Sequence, residues 1–191
     1  MAMSEHEALA PPSAWVQRWA PQVKAGGSVL DLACGSGRHA RLFAAAGHAV
    51  AAVDRDAVAI AALAAVPGIQ TLCADIEDGP WPFAGRQFDA VVVTNYLHRP
   101  LFPALMDALA PGGLLIYETF AVGNERHGRP SNPDFLLREG ELLERVSGVL
   151  GVVAYEHGQV ANPKPAVVQR LCARRPGDGN PGEMTISPVN S

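Results

Sequence analysis

A chain of 191 residues, 48% of them hydrophobic, is long enough for one domain with a sizeable core and too apolar for a disordered segment. Its formal net charge of −4 gives no electrostatic reason to expect a nucleic-acid polymer as partner. No apolar run approaches the ~20 residues that a bilayer span needs, and the opening residues lack a basic segment followed by an apolar one, so the expected address is cytoplasmic, with no membrane partner.

Residues 1–12 read as a flexible tail, 13–175 as one domain, and 176–191, rich in Pro, Gly, Ser and Asn, as a disordered tail. Trp15 and Trp19 stand four apart and so share one face of an N-terminal helix. The first strand is Ser28 to Leu32, running into a glycine-rich turn. A helix follows from Arg38 to Ala46, closed by Gly47. His48 to Val53 is the second strand. Asp56 caps an alanine-rich helix that runs to Ala65 and stops at Pro67-Gly68. Ile69 to Cys73 is the third strand, and Phe88 to Thr94 is a continuous apolar strand of the kind buried on both faces. A helix from Pro103 to Ala110 is expected to end at Pro111-Gly112-Gly113, before a fifth strand from Leu114 to Thr119. A long polar loop covers Phe120 to Asn132, a short helix Glu139 to Ser147, and two closing strands Val149 to Tyr155 and Ala166 to Ala173. Such alternation predicts an α/β, Rossmann-like, doubly wound sheet of seven strands, mostly parallel with an antiparallel last strand, and helices on both faces. Cys34, Cys73 and Cys172 form no CxxC pair. Each is expected to be a small buried hydrophobe, and no metal site is expected.

The turn after the first strand carries the chemistry. Gly35-x-Gly37 lets the backbone approach a ligand, because no Cβ is in the way. With Ala40 in the third position it also fits a dinucleotide fingerprint, so the acidic residues must discriminate. Asp31, at the end of the first strand, suits an ammonium group and does nothing for a pyrophosphate. Asp54, ending the second strand, suits the two hydroxyls of a ribose. Asp75, past the third, could accept from the exocyclic amine of adenine. S-adenosylmethionine (SAM) has an ammonium, a ribose and an adenine, and no phosphate.

The run VLDLACGSGRHA, followed by VDRD, CADIED and FDAVVVTNYLH, resembles the class I SAM-dependent methyltransferases over about residues 28–119. The resemblance implies that Asp31, Ala33 and the Gly35 and Gly37 backbone hold the methionine part. It further implies that Asp54, with Arg55 beside it, holds the ribose, that Asp75 and Ile76 hold the adenine edge, and that Asn95 lies beside the methionine part. The family often has glycine where this chain has Ala33. Within the class, the compact length and the segment EGELLER (139–145) are similar to the tellurite-resistance (TehB-type) and thiopurine-type methyltransferases.

The expected activity is methyl transfer from SAM, leaving S-adenosylhomocysteine, to a small-molecule thiol, oxyanion or amine. A hydroxyl or amine acceptor would call for a general base, for which Tyr96, His98 and His127 are the candidates. Arg126 and Arg129 in the loop would suit an anionic acceptor, and with the Trp15/Trp19 helix that loop is the candidate lid. An RNA or protein methyltransferase, a non-catalytic SAM-binding protein and an NAD(P)-dependent oxidoreductase are the alternatives. The last would leave Asp31 and Asp75 idle.

Overall fold

The computed structural model of the protein describes residues 10–177. Both expected tails lie largely outside them, in 1–9 and 178–191. Two of the three described residues of the first tail are held: the carbonyl of Pro11 accepts from Arg38 and that of Pro12 from Gln17.

The described strands form one seven-stranded sheet in the order β3-β2-β1-β4-β5-β7-β6. They are β1 Ser28–Leu32, β2 Ala49–Asp54, β3 Ile69–Cys73, β4 Phe88–Thr94, β5 Leu109–Phe120, β6 Gly151–Val160 and β7 Ala166–Arg174. The first five pair in parallel, and β7 runs antiparallel to β5 on one side and β6 on the other. Parallel neighbours need crossovers, which α2 (Arg38–Ala45), α3 (Ala57–Leu63) and α4 (Phe102–Asp107) contribute. α1 (Ala14–Trp19) precedes the sheet and α5 (Glu141–Val146) precedes β6.

The central strands are apolar throughout because both faces are covered. Side chains alternate across a strand, so Leu30, Val91, Val93 and Leu115 enter one core layer while Val29, Val92 and Ile116 enter the other. Trp15 and Trp19 belong to the second layer. They are 2% and 5% exposed and meet edge to face at 5.6 Å. Their shared helical face therefore packs against the sheet, and neither ring lines the cavity at the carboxyl ends of the strands.

Three local expectations change. α4 stops at Asp107, and β5 begins at Leu109, running through Pro111-Gly112-Gly113 instead of starting after them. Gly113 permits this: a Cβ there would lie 2.8 Å from the Ala110 carbonyl and 2.9 Å from that of Phe88. Cys73 is exposed at the last position of the edge strand β3, whereas Cys34 and Cys172 are buried. β6 extends to Val160, longer than its apolar stretch, because β7 supplies partners out to that residue. Among the described residues no helix is long and apolar enough to cross a membrane.

Candidate active site

The sheet order reverses between β1 and β4, and the carboxyl ends of the parallel strands open there onto one cavity of about 410 Å³. Ala33 follows β1, Asp54 ends β2 with Arg55 after it, Asp75 and Ile76 follow β3, and Asn95 and Tyr96 follow β4; all line this cavity.

The turn is built from its two glycines in different ways. Gly37 has φ +73°, and a Cβ on it would run into the buried Leu63 side chain, so glycine is required by packing against α3. Gly35 has φ +52° and a Cβ there would meet nothing within 4 Å, so its bare face is turned to open space. Ala33 (φ +50°) and Asn95 (φ +55°) are the two described non-glycine residues in the left-handed region, and both line the cavity. For a residue with a Cβ that conformation costs about 1–2 kcal/mol. Such strain gathers where a structure holds a backbone for a purpose. Asn95 is held there by its N–H donating to the Glu118 carbonyl at 2.9 Å, while Tyr117 clamps the next residue by donating its hydroxyl to the Tyr96 carbonyl at 2.8 Å.

The three acidic residues occupy different depths. Asp54 accepts from the Gly35 N–H at 2.7 Å through one oxygen and from the Asp56 N–H at 2.9 Å through the other. It thereby ties the turn to the end of β2, and each oxygen retains a lone pair for a further donor. Asp75 accepts from the Glu77 N–H at 2.9 Å, a local turn, while its side chain faces the cavity. Asp31 is 1% exposed and lies beneath the turn, where it accepts from the Ala40 N–H at 2.8 Å. Burial pushes its carboxyl up to about 7, and the hydrogen bond from Ala40 and the charge of Arg38 only partly offset this. Burial likewise raises the Cys34 thiol, so the cysteine inside the turn is an inert thiol rather than a nucleophile.

Of the three general-base candidates only Tyr96 lines the cavity. Its hydroxyl donates to Glu77 at 3.1 Å, and burial followed by the Glu77 charge raises its pKa. His98 stands behind, its Nδ1 3.7 Å from the other Glu77 oxygen. His127 is exposed beside Gln159, and Arg126 and Arg129 are exposed around it; none of the three lines the cavity. Asn124 explains where that loop goes. It is buried and bonds both the Pro130 carbonyl and the Val167 N–H, which folds the loop onto β7 and leaves Phe120 and Pro130 as its contributions to the cavity wall.

Residues that local patterns did not mark complete the wall: Glu77, Leu97, Thr119 and Phe135. Thr119 sits at the carboxyl end of β5, a place that the strand-end rule already flags, whereas Phe135 arrives from a distant loop with no signal in its neighbourhood. Among the described residues no three His, Cys, Asp or Glu side chains stand together as metal ligands would.

The segment 29–113 matches the family known as the methyltransferase domain. That match covers 85 of the 191 residues, and over them the chain is similar to this family. No curated protein sequence matches the chain. The fold is shared with TehB from Haemophilus influenzae at 21% identity and a TM-score of 0.71, covering 89% of this chain and 64% of that one. It is also shared with the N-methyltransferase NodS from Bradyrhizobium japonicum WM9, at 19% identity and a TM-score of 0.65 over 84% of this chain and 92% of that one. A third similar structure is the glycopeptide N-methyltransferase MtfA in complex with S-adenosyl-L-homocysteine, at 18% identity and a TM-score of 0.62 over 88% of this chain and 91% of that one. The chain thus spans about two thirds of TehB and nearly all of the other two. The methyltransferase domain matched, 29–113, runs from β1 into β5 and contains the turn, Asp54, Asp75 and Asn95.

Proposed function

We propose that the protein transfers the methyl group of SAM to a small-molecule acceptor, with no metal. The observation that carries this reading is that Asp54 and Asp75 line one cavity with the strained Ala33 and Asn95, above the buried Asp31 and beside the open face of Gly35. A donor with a ribose and an adenine meets the two carboxylates of the cavity wall, and its ammonium falls on the side of the turn beneath which Asp31 is buried. A nicotinamide dinucleotide would also offer Asp54 a ribose and Asp75 an adenine, but would set its doubly charged pyrophosphate against the turn with the Asp31 carboxyl beneath it.

In this reading the lone pairs of Asp54 receive the ribose hydroxyls, Asp75 and Ile76 border the adenine, and the turn and Asn95 border the methionine part. When bound, the donor supplies a methyl group activated on a sulfonium; the acceptor's lone pair forms the new bond to carbon as the carbon–sulfur pair returns to sulfur. What the chain must do is hold the partners about 3–3.5 Å apart and keep water out. Thr119 and Phe120, at the end of β5, wall the cavity beside Asn95. Tyr96 is already hydrogen-bonded to Glu77, so a hydroxyl or amine acceptor would pass its proton into that pair. The free thiols Cys34, Cys73 and Cys172 suit a reducing compartment, and we place the protein in the cytosol.

Calorimetry tests the donor. S-adenosylhomocysteine should bind at one site per chain and NAD should not. Charge-assisted hydrogen bonds to a ribose are worth about 1.5–3 kcal/mol each, so Asp54→Ala should weaken binding at least tenfold in a folded protein. NAD binding without a response to S-adenosylhomocysteine would end this reading. Catalysis is then read as S-adenosylhomocysteine formed from SAM with a panel of thiols, oxyanions and amines.

A further inference from the structure

A second cavity of about 460 Å³ lies against the first and shares Asn95 and Phe120 with it. Residues 10–14 form one wall, the connection from β6 to β7 another, and Glu118 and Val168 of β5 and β7 lie between them. The N-terminal wall is pinned in place. Ser13 donates its N–H to His39 Nε2 at 3.0 Å and its hydroxyl to Glu118 at 2.8 Å. Because His39 Nε2 accepts, its Nδ1 carries the proton and donates to Thr94 Oγ1 at 3.3 Å. The wall is mostly apolar, as Pro11, Pro12, Phe120, Pro163 and Val168 illustrate.

Three cations face this space, and they are not equivalent. Arg170 is neutralised by Glu118 and Glu156. Lys164, on the exposed connection, and the half-buried Arg38 have no carboxylate within 4.0 Å among the described residues. An apolar chamber with two cations that have no counter-charge among the described residues, and one internally paired carboxylate, calls for a ligand that is apolar in its body and negative at one point.

We propose that this second cavity receives the methyl acceptor, and that the acceptor is a small apolar molecule bearing a carboxylate. This rests on the donor reading above. Methyl transfer needs an acceptor chamber continuous with the donor cavity, so that nucleophile and methyl meet out of water. The continuity here runs through Asn95 and Phe120, and Asn95 is one of the residues whose backbone is held in a strained conformation. Lys164 supplies a point charge at the rim and Arg38 a planar fork, while the apolar wall selects the body. Arg126 and Arg129 line neither cavity, so the acceptor's charge is met instead by Lys164 and Arg38, at the connection from β6 to β7 and beside the N-terminal segment.

The test is an NMR titration of the full chain with phenylacetate and its neutral isostere phenylacetamide, each with and without saturating S-adenosylhomocysteine. Phenylacetate should bind in the millimolar range together with S-adenosylhomocysteine, shifting the backbone amides of Ala14, Ala166 and Val168. Phenylacetamide should bind about tenfold more weakly, and Lys164→Gln should weaken phenylacetate by a similar factor. Val168→Trp, which fills the chamber, should abolish the shifts. Should that variant fail to fold, Lys164→Gln on the exposed connection still decides. Equal binding of acid and amide, displacement of phenylacetate by S-adenosylhomocysteine, or absence of those shifts in a chain that binds S-adenosylhomocysteine would overturn the acceptor cavity alone. Failure to bind S-adenosylhomocysteine while phenylacetate still seats would overturn the donor reading, and with it the acceptor role.

Discussion

Asp31 sits where a carboxylate is costly to ionise, yet nothing about the fold alone requires an acid beneath the turn. Because burial raises its pKa from 3.8 to about 7, its contribution to stability is full below pH 4 and fades as the pH rises through about 7. A cationic ligand beside the turn favours the ionised form, so donor binding releases a proton wherever Asp31 is still neutral. Affinity for SAM should therefore rise as the pH is taken from below 7 to above it. Asp31→Asn should remove that slope in calorimetry and should lower the melting temperature less at pH 8 than at pH 5. A pH-independent affinity in the parent chain would remove Asp31 from this role. The turn offers a second comparison at the same scale. Ala33→Gly relieves about 1 kcal/mol of left-handed strain and gives back a similar amount through the freer unfolded chain, so its unfolding free energy should stay within about 0.5 kcal/mol of the parent. Gly37→Ala adds that strain and a collision with Leu63, and should cost about 2–4 kcal/mol in denaturant unfolding.

Single elements show how much the sequence discloses and where it stops. β1 to β4 were legible because each is a short apolar run bounded by a turn signal, and the acids at their carboxyl ends were legible because ligands bind along that edge. β5 was misjudged at Pro111-Gly112-Gly113: these residues normally punctuate, but close packing against Phe88 keeps them in the sheet. The Trp15/Trp19 spacing disclosed a shared face and was silent on what that face meets. Phe135 and Glu77 reach the site by loops folding back, which no local period records. α5 carries a feature equally hidden from pattern reading. The Glu141 side chain is fully buried and accepts from Arg99, from Arg145 and from the Arg138 N–H. Burial alone would raise its pKa, but the hydrogen bonds from Arg99, the Arg138 backbone and Arg145 more than offset this and hold it at about 2. Arg99 also donates to the Asp134 and Leu136 carbonyls, so this carboxylate staples α5 and the segment before it to the turn Arg99–Leu101 that leads into α4. Glu141→Ala removes the carboxylate that the partly exposed Arg99 and Arg145 share, each charge-assisted hydrogen bond being worth about 1.5–3 kcal/mol, and should cost about 3 kcal/mol. The depressed pKa places this contribution above pH 4.5 and predicts its loss as the pH falls toward 2, readable as a steepening of acid unfolding in the parent that the variant lacks.

The whole molecule is a sheet with its last-made strand in an interior slot. β7 pairs with β5 along seven residues and with β6 along nine, and the two registers together join the C-terminal hairpin to the parallel strands. Without it β6 has no place in the sheet and the far edge of β5 stands open. A chain cut before Ala166 should show collapsed helical and strand content but no cooperative melting transition, whereas removal of an ordinary edge strand would leave one.

During synthesis this arrangement sets an order of events. As β6 leaves the ribosome, every described strand but one exists, yet the backbone groups along β5 that face β7 in the finished sheet are still unpaired, in a protein whose central strands are almost wholly apolar. The nascent chain is then most open to joining a strand from another molecule, and it stays so until residues 166–174 arrive and close the gap. The interval between emergence of β6 and emergence of residues 166–174 thus becomes a determinant of yield, and lengthening it should favour aggregation.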